Sequence, residues 1–333
     1  MVRDPKTEQT AVSRKADKRA MMTILDATTS PAKDPIQALL DGPDDAVLTV
    51  IAGVEGPSYR PVGAMMSVLG PRERAGTLSS GCVESDIALH AMDAREKGQP
   101  TVVRYGQGSP FMDIQLPCGG GLDIALLPKP NRAILARVAQ NRQARVPCTL
   151  VINLTTGAMS LEDHGDTGRD GDVLRVHLAP DIRFLVLGKG PEASTFAALV
   201  QSAGYPNLLL SPDTETLADG SASGCPTRHL TRQLFPEDLA VDDRTAVVLF
   251  FHDHDWEPPL LAGALKTNAF YIGAQGSQRA RDARLATLAA MGVADKELER
   301  LVGPVGLIPS ARDAGTLAVS VLAEVLARAM SPK

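Results

Sequence analysis

The spacing of apolar positions changes style near Asp181. Before that point, short apolar runs alternate with turn residues. "AVLTVIAG" (46–53) is a β-rich run closed by Gly53, and "GPSYRPVGAMMSVLG" is a Pro/Gly turn leading into a second strand. Val83, Ile87, Ala91 and Ala94 then recur at helical spacing, and Gly98 marks the stop. "TVVRY" reads as a strand, "LPCGGGLDIALLP" as a glycine turn into another, and "NRAILARVAQNRQ" as a helix. "VPCTLVINLTTGAMS" reads as a hairpin turning at Thr156 and Gly157, and Glu162–Asp172 as a charged, glycine-bearing loop.

After Asp181 the strands become continuously apolar. "IRFLVLGKGPEASTFAALVQSAGY" is strand, glycine turn, helix; "NLLLSPD", "TAVVLFF" and "AFYIG" are further strands. Helical segments such as "LLAGALK" and "SQRARDARLATLAAM" separate most of them. This alternation predicts a parallel sheet covered on both faces. The fold expected is α/β: an N-terminal α+β domain over residues 35–180, then a Rossmann-like, doubly wound parallel-sheet domain over 181–333. Residues 1–34, polar and containing "SRKADKR", are expected to be a flexible tail.

Composition narrows the partners. The chain has 333 residues, room for two domains, and its 44% hydrophobic content can fill both cores. A formal net charge of −5 argues against nucleic acid and anionic membranes, because phosphate binding needs a basic surface. No apolar run approaches bilayer length, and no secretory apolar core stands near Met1. Cys82, Cys118, Cys148 and Cys225 form no Cys-x-x-Cys pair, which suits neither a zinc site nor a disulfide scaffold. A cytoplasmic protein with reduced thiols is expected. Cys148, in an apolar strand, reads as a core residue, and Cys225 as part of a polar loop.

The chemistry concentrates on turns. Cys82 follows Gly81 and precedes Glu84 and Asp86 at a helix mouth, where amides favour an anion or thiolate; the alternative is a small buried hydrophobe. Cys118 stands before Gly119, Gly120 and Gly121, again presenting soft sulfur on a small-residue turn. Ser58 and Arg60 share another turn, from which a guanidinium can grip a phosphate. In "GKGPEA", Gly188 allows a tight turn and Gly190 a close approach to phosphate, unless the turn merely joins strand to helix. Ser211 stands where a ribose-binding acid would end the second strand, and Asp213 comes two residues late, which weakens a dehydrogenase reading.

A further anion site is plausible where Gly276 frees a turn and Ser277 caps a helix bearing Gln278, Arg279 and Arg281; the arginines also read as a solvated face. His252, Asp253, His254 and Asp255 follow an apolar strand, where they would bind metal, move protons or cap the helix near Trp256. Adjacent residues point different ways, so polar groups at a sheet edge without metal are expected.

Taken in order, these stretches resemble the XdhC/CoxI family, from about Val47 to Ala329. The motifs are "GPSYRPVGAMM", "SSGCVESDI" and "LPCGGGLDI", then "GKGPEA", "FHDHDWE" and "YIGAQGSQRARDAR". Ser80 and Phe251 depart from the pattern, which has glycine and threonine there, and the C-terminal ending also differs. The resemblance implies a chaperone that binds molybdenum cofactor, as molybdopterin or a dinucleotide form. It would protect the cofactor, assist its sulfuration and deliver it to an apoenzyme of the xanthine dehydrogenase/aldehyde oxidase type. The residues implied are Ser58, Arg60, Gly81, Cys82, Glu84, Cys118, Gly119, Gly120, Gly188, Gly190, His252, Asp253, His254, Gly276, Ser277 and Arg279, with Cys82 and Cys118 as molybdenum contacts. The partners are the hydroxylase, a cysteine desulfurase or sulfurtransferase, and a second copy; by its spacing the helical stripe Leu317, Val321 and Val325 either pairs two copies or packs on the chain's own parallel sheet. No catalytic residue is implied. The competing reading is an NAD(P)-dependent oxidoreductase using His252 or His254 as its acid–base group.

Overall fold

The computed structural model describes residues 29–30, 34–79, 81, 83–109, 119–252 and 255–330. Two compact units divide the chain, Met1–Ala179 and Pro180–Lys333. Cys82, Cys118, Asp253 and His254 lie outside the described residues.

In the first unit a six-stranded sheet runs in the order Thr29–Ser30, Arg74–Gly76, Met65–Val68, Val47–Glu55, Gly121–Pro128, Thr101–Gly106. Val47–Glu55 pairs antiparallel with both its neighbours. Thr29–Ser30, within the expected tail, pairs parallel with Arg74–Ala75. One face of the sheet (Val47, Ile51, Met66, Ile124, Leu126) packs on the helix Glu84–Lys97 through Ile87, Ala88, Ala91 and Ala94. Burying Ile87 alone is worth about 2–3 kcal/mol. That helix has Glu84 and Asp86 in its first turn, Arg95 and Lys97 in its last, and Gly98 as a left-handed cap (φ 65°).

The other face (Leu48, Val50, Ala125, Leu127) meets the helices Pro35–Asp41 and Arg132–Gln143 and a four-stranded sheet, Met159–Glu162, Cys148–Asn153, Val173–Leu178, Gly168–Asp170. Cys148 is core there. The hairpin turns as expected, with Asn153 Oδ1 accepting from the amides of Thr155 (3.1 Å) and Thr156 (2.8 Å). The charged stretch Glu162–Asp172 is not all loop: Gly168–Asp170 pairs with Val173–Leu178. Its side chains are exposed, so no apolar alternation betrays it.

The second unit is the expected parallel sheet, six-stranded, in the order Thr227–His229, Asn207–Ser211, Arg183–Gly188, Thr245–Phe250, Tyr271–Ala274, Leu301–Val302. Counted along the chain this is 3-2-1-4-5-6, with its switch point between Arg183–Gly188 and Thr245–Phe250. Leu185, Leu187, Val247 and Leu249 face the helices Glu257–Leu265 and Gln278–Ala290. Phe184, Val186, Val248 and Phe250 face Pro191–Ser202 and Ala314–Met330. Val321 and Val325, with Leu317 packed beside them, belong to this second core. Of the two places open to this stripe, a second copy or the sheet of its own chain, it takes the sheet. Cys225 lies in a loop among exposed residues, as expected, yet its side chain is buried in the same core, and burial pushes its thiol pKa up.

Candidate functional site

In the first unit, strand register decides which turns meet. Glu55 and Gly106 both lie opposite Gly121, and Gly76 lies opposite Met66 at the start of its strand. The chain therefore leaves or re-enters the sheet at the same end at Gly56, Ala64, Thr77, Gln107 and Gly120. The structure thus gathers the Ser58/Arg60 turn, the Gly81 loop and the Gly119/Gly120 turn.

Two of these turns touch through backbone. A side chain on Gly120 would run into the carbonyl oxygens of Pro57 and Glu55, and the Cβ position of Gly56 lies 3.6 Å from Gly120 Cα. Only glycine permits that approach. Ser58 Oγ donates to the Arg60 carbonyl (2.7 Å), closing the turn, and the exposed Arg60 guanidinium lies 5.5 Å from the Tyr59 ring centroid. Beneath the turns, Arg104 is held by Glu55, by Asp123 (3.1 Å) and by the Gln107 carbonyl (2.8 Å).

The loop 77–83 closes on Glu84, the first helical residue. The residue is 4% exposed, and its carboxylate accepts from Thr77 Oγ1 (2.5 Å), Ser79 Oγ (2.7 Å) and the amides of Leu78 (3.1 Å), Ser79 (2.7 Å) and Val83 (3.3 Å). Burial alone would raise its pKa, but the bonds from Thr77 and Ser79 outweigh it and hold the acid at about 2. Glu84 thus faces its own loop. Gly81 is exposed at φ 100°, and none of the described residues comes within 4 Å of its Cβ position.

In the second unit, Gly188 is needed for packing, since a side chain would meet Phe250 O at 2.6 Å and Ala193 Cβ at 2.8 Å. Gly190 (φ 91°) caps the helix Pro191–Ser202. Its amide does not point outward: it donates to Thr216 Oγ1 (2.9 Å), and that hydroxyl donates to Asp213 Oδ2 (2.6 Å). The Lys189 amide donates to Phe250 O (3.0 Å), and Pro191 has no N–H. The turn from Lys189 to Pro191 thus holds no amide out to a phosphate. Asp213 caps the next helix through the Thr216 amide (2.8 Å), and the Thr216 hydroxyl and amide lower its pKa. Ser211 is fully buried. Neither is placed as a ribose-binding acid.

His252 is 74% exposed, with Nε2 3.1 Å from Gln275 Nε2 and 3.9 Å from Glu192 Oε2. It joins Gln275 and Gly276 in lining two adjoining cavities of about 280 and 400 Å³. The helix that follows, Glu257–Leu265, has Trp256 at its N-cap, and the Trp256 side chain makes no capping bond. Ser277 does cap its helix, accepting from the Ala280 amide (3.2 Å), and Arg279 is exposed on the first turn. Among the described residues, no group of three or more His, Cys, Asp and Glu is placed to hold a metal.

Sequence reasoning passed over the pair beneath this edge. Arg284 donates to Glu257 through Nε and Nη2 (3.1 Å for the latter) and to the Gln275 carbonyl (2.7 Å). The side chains are 4% and 8% exposed. Arg284 stands one helical turn before buried Leu288, a spacing that marks the inward face. Ser320 and Glu324, on the last helix, likewise hold the 303–308 loop: Ser320 Oγ accepts from the Ile308 amide (2.7 Å) and Glu324 from the Gly306 amide.

Comparison with known proteins adds to this picture. Residues 39–106 match the XdhC and CoxI family, and residues 184–325 the XdhC Rossmann domain. The molybdenum cofactor insertion chaperone PaoD of Escherichia coli is 33% identical over 293 residues, covering 87% of this chain and 85% of PaoD. A probable xanthine dehydrogenase subunit of Bacillus subtilis is 26% identical over 329 residues, covering 87% of this chain and 95% of the relative. A crystal structure of a xanthine dehydrogenase from Bacillus halodurans shares the fold, with a TM-score of 0.73 at 22% identity over 90% of this chain and 97% of that one. Among the described residues no helix is long and apolar enough to cross a membrane.

Proposed function

The chain belongs to the XdhC and CoxI family, and we propose that it is a carrier of molybdenum cofactor. It shields the cofactor, assists its sulfuration with a cysteine desulfurase or sulfurtransferase, and delivers it to an apoenzyme of the xanthine dehydrogenase/aldehyde oxidase type. The observation that carries this reading is the likeness to PaoD, a molybdenum cofactor insertion chaperone, along most of both chains. The first unit's geometry supports it. Three turns with a phosphate-gripping Arg60, small glycines and, in sequence, Cys82 and Cys118 leave one end of one sheet. The cargo carries a phosphate, a pterin and a soft metal–sulfur centre, and such turns offer a cation, backbone room and soft sulfur.

In this reading Cys82 and Cys118 contact molybdenum, and Ser58 and Arg60 the phosphate. The carrier acts in the cytoplasm as a homodimer. A nicotinamide enzyme fits less well, because Gly190 turns its amide to Thr216 and Asp213 is taken up as a helix cap. The test is protein purified from a molybdenum-replete host, its pterin released, oxidised and quantified by fluorescence. Near-stoichiometric pterin is expected. Folded protein without pterin refutes the carrier, and a monomer by light scattering at micromolar concentration refutes the dimer.

A further inference from the structure

We propose that Glu84 is a positioning residue: it ties Thr77, Leu78 and Ser79 to Val83 on either side of the cysteine-bearing turn, and touches no cargo itself. This role presupposes the carrier reading above, whereas the loop's dependence on Glu84 follows from geometry alone. An acid two residues after a cysteine at a helix mouth has an obvious function as a ligand or as a partner of the helix dipole. Here it is turned the other way. A carboxylate has about four lone-pair sites. Glu84 receives donors from Thr77, Leu78, Ser79 twice and Val83, so none is left for a ligand.

The placing of those donors matters more than their number. Ser79 and Val83 stand on either side of positions 80–82, and both are tied to the same carboxylate. Ser79 Oγ also accepts from the Val83 amide (3.1 Å), which draws the two sides together. Gly81, between them, has no described residue within 4 Å of its Cβ position. With no described residue packed on Gly81, its place depends on the two anchored sides. A glutamine at 84 keeps the volume but replaces one oxygen with an NH₂ group, setting donor against donor. Aspartate keeps the charge but falls one methylene short.

Four full-length variants test this: Glu84→Gln, Glu84→Asp, Thr77→Val and Cys82→Ala. The readouts are hydrogen exchange at the Leu78, Ser79 and Val83 amides, the rate at which iodoacetamide alkylates Cys82, and retained pterin. Glu84→Gln is expected to speed exchange at those amides at least tenfold, to change the Cys82 alkylation rate, and to lower pterin to the Cys82→Ala level. Thr77→Val moves the same readouts less, and Glu84→Asp restores part of each. Should Glu84→Gln fail to fold, Thr77→Val carries the test. Unchanged exchange in a folded Glu84→Gln protein overturns the anchoring. Lost pterin with exchange and alkylation both unchanged overturns it too, by making Glu84 a direct contact. Faster exchange with full pterin retention refutes the link from loop to cargo. A pterin-free wild type refutes the carrier instead, and exchange and alkylation then still decide whether Glu84 holds the loop.

Discussion

Replacing Arg284 with Met removes the cation from a pair whose side chains are 4% and 8% exposed. The Glu257 carboxylate then loses both its donors from Arg284, and the Gln275 carbonyl loses another. Breaking one side of a buried pair costs about 3–5 kcal/mol, because the remaining charge stays out of water. Replacing both partners, as Glu257→Gln with Arg284→Met, is expected to cost less than the two single changes added together by about 2 kcal/mol or more. The chain supplies its own probe. Trp256 is its one tryptophan, immediately precedes Glu257, and stacks on Phe251 with ring centroids 6.5 Å apart. Urea unfolding followed by Trp256 fluorescence thus reports on the second unit. With a slope of about 2 kcal/mol per molar, each single variant should lower the midpoint by about 1.5–2.5 M. An Arg284→Met protein whose midpoint holds while pterin retention falls would show that the arginine serves the ligand and that the burial argument is wrong.

Cys82→Ala should lose pterin with its unfolding midpoint unchanged, while Cys148→Ser should lose about 1–3 kcal/mol of stability and keep its pterin, since Cys148 is buried in the core; quantified pterin alongside urea melts separates the two. Gly120→Ala should destabilise the first unit by at least about 2 kcal/mol, because the new methyl meets the Pro57 and Glu55 carbonyls, and circular dichroism melts will read it. Glu84, held at about 2 in the folded state against an ordinary 4.5, adds stability that is fully present above about pH 4.5 and fades as pH falls toward 2. Over that window wild type should lose roughly 2–3 kcal/mol that Glu84→Gln does not lose, as measured by denaturant unfolding at stepped pH.

Features that depend on repetition were legible in the sequence. Continuously apolar strands marked the Rossmann sheet, and Ser277 and the Thr156–Gly157 turn carry their chemistry in their own side chains or in flanking residues. What stayed hidden depends on contacts between distant residues. Gly168–Asp170 pairs by backbone while its side chains face water, leaving no alternation to read. Cys225 sits among polar neighbours, and only the tertiary packing places it in a core. Glu84 reads as one more acid in a first helical turn until Thr77 and Ser79 are seen to close on it. The Leu317–Val321–Val325 stripe shows the converse: its periodicity was plain, but not which surface it covers.

The order of strands in the first unit also bears on when the protein becomes competent. Gly121–Pro128 is the last strand of its sheet to be synthesised, yet it lies inside the sheet, between Val47–Glu55 and Thr101–Gly106. Until it docks, those two earlier strands have no neighbour on that side, and the turns bearing Ser58 and Gly119 are not held against each other. Pairings between residues so far apart in the chain close slowly. A nascent chain would therefore carry all of the first unit's motif residues before it has a receptor, and loading must wait for the interior strand. A chain truncated just before Gly121 should retain no pterin, however many of those residues it keeps.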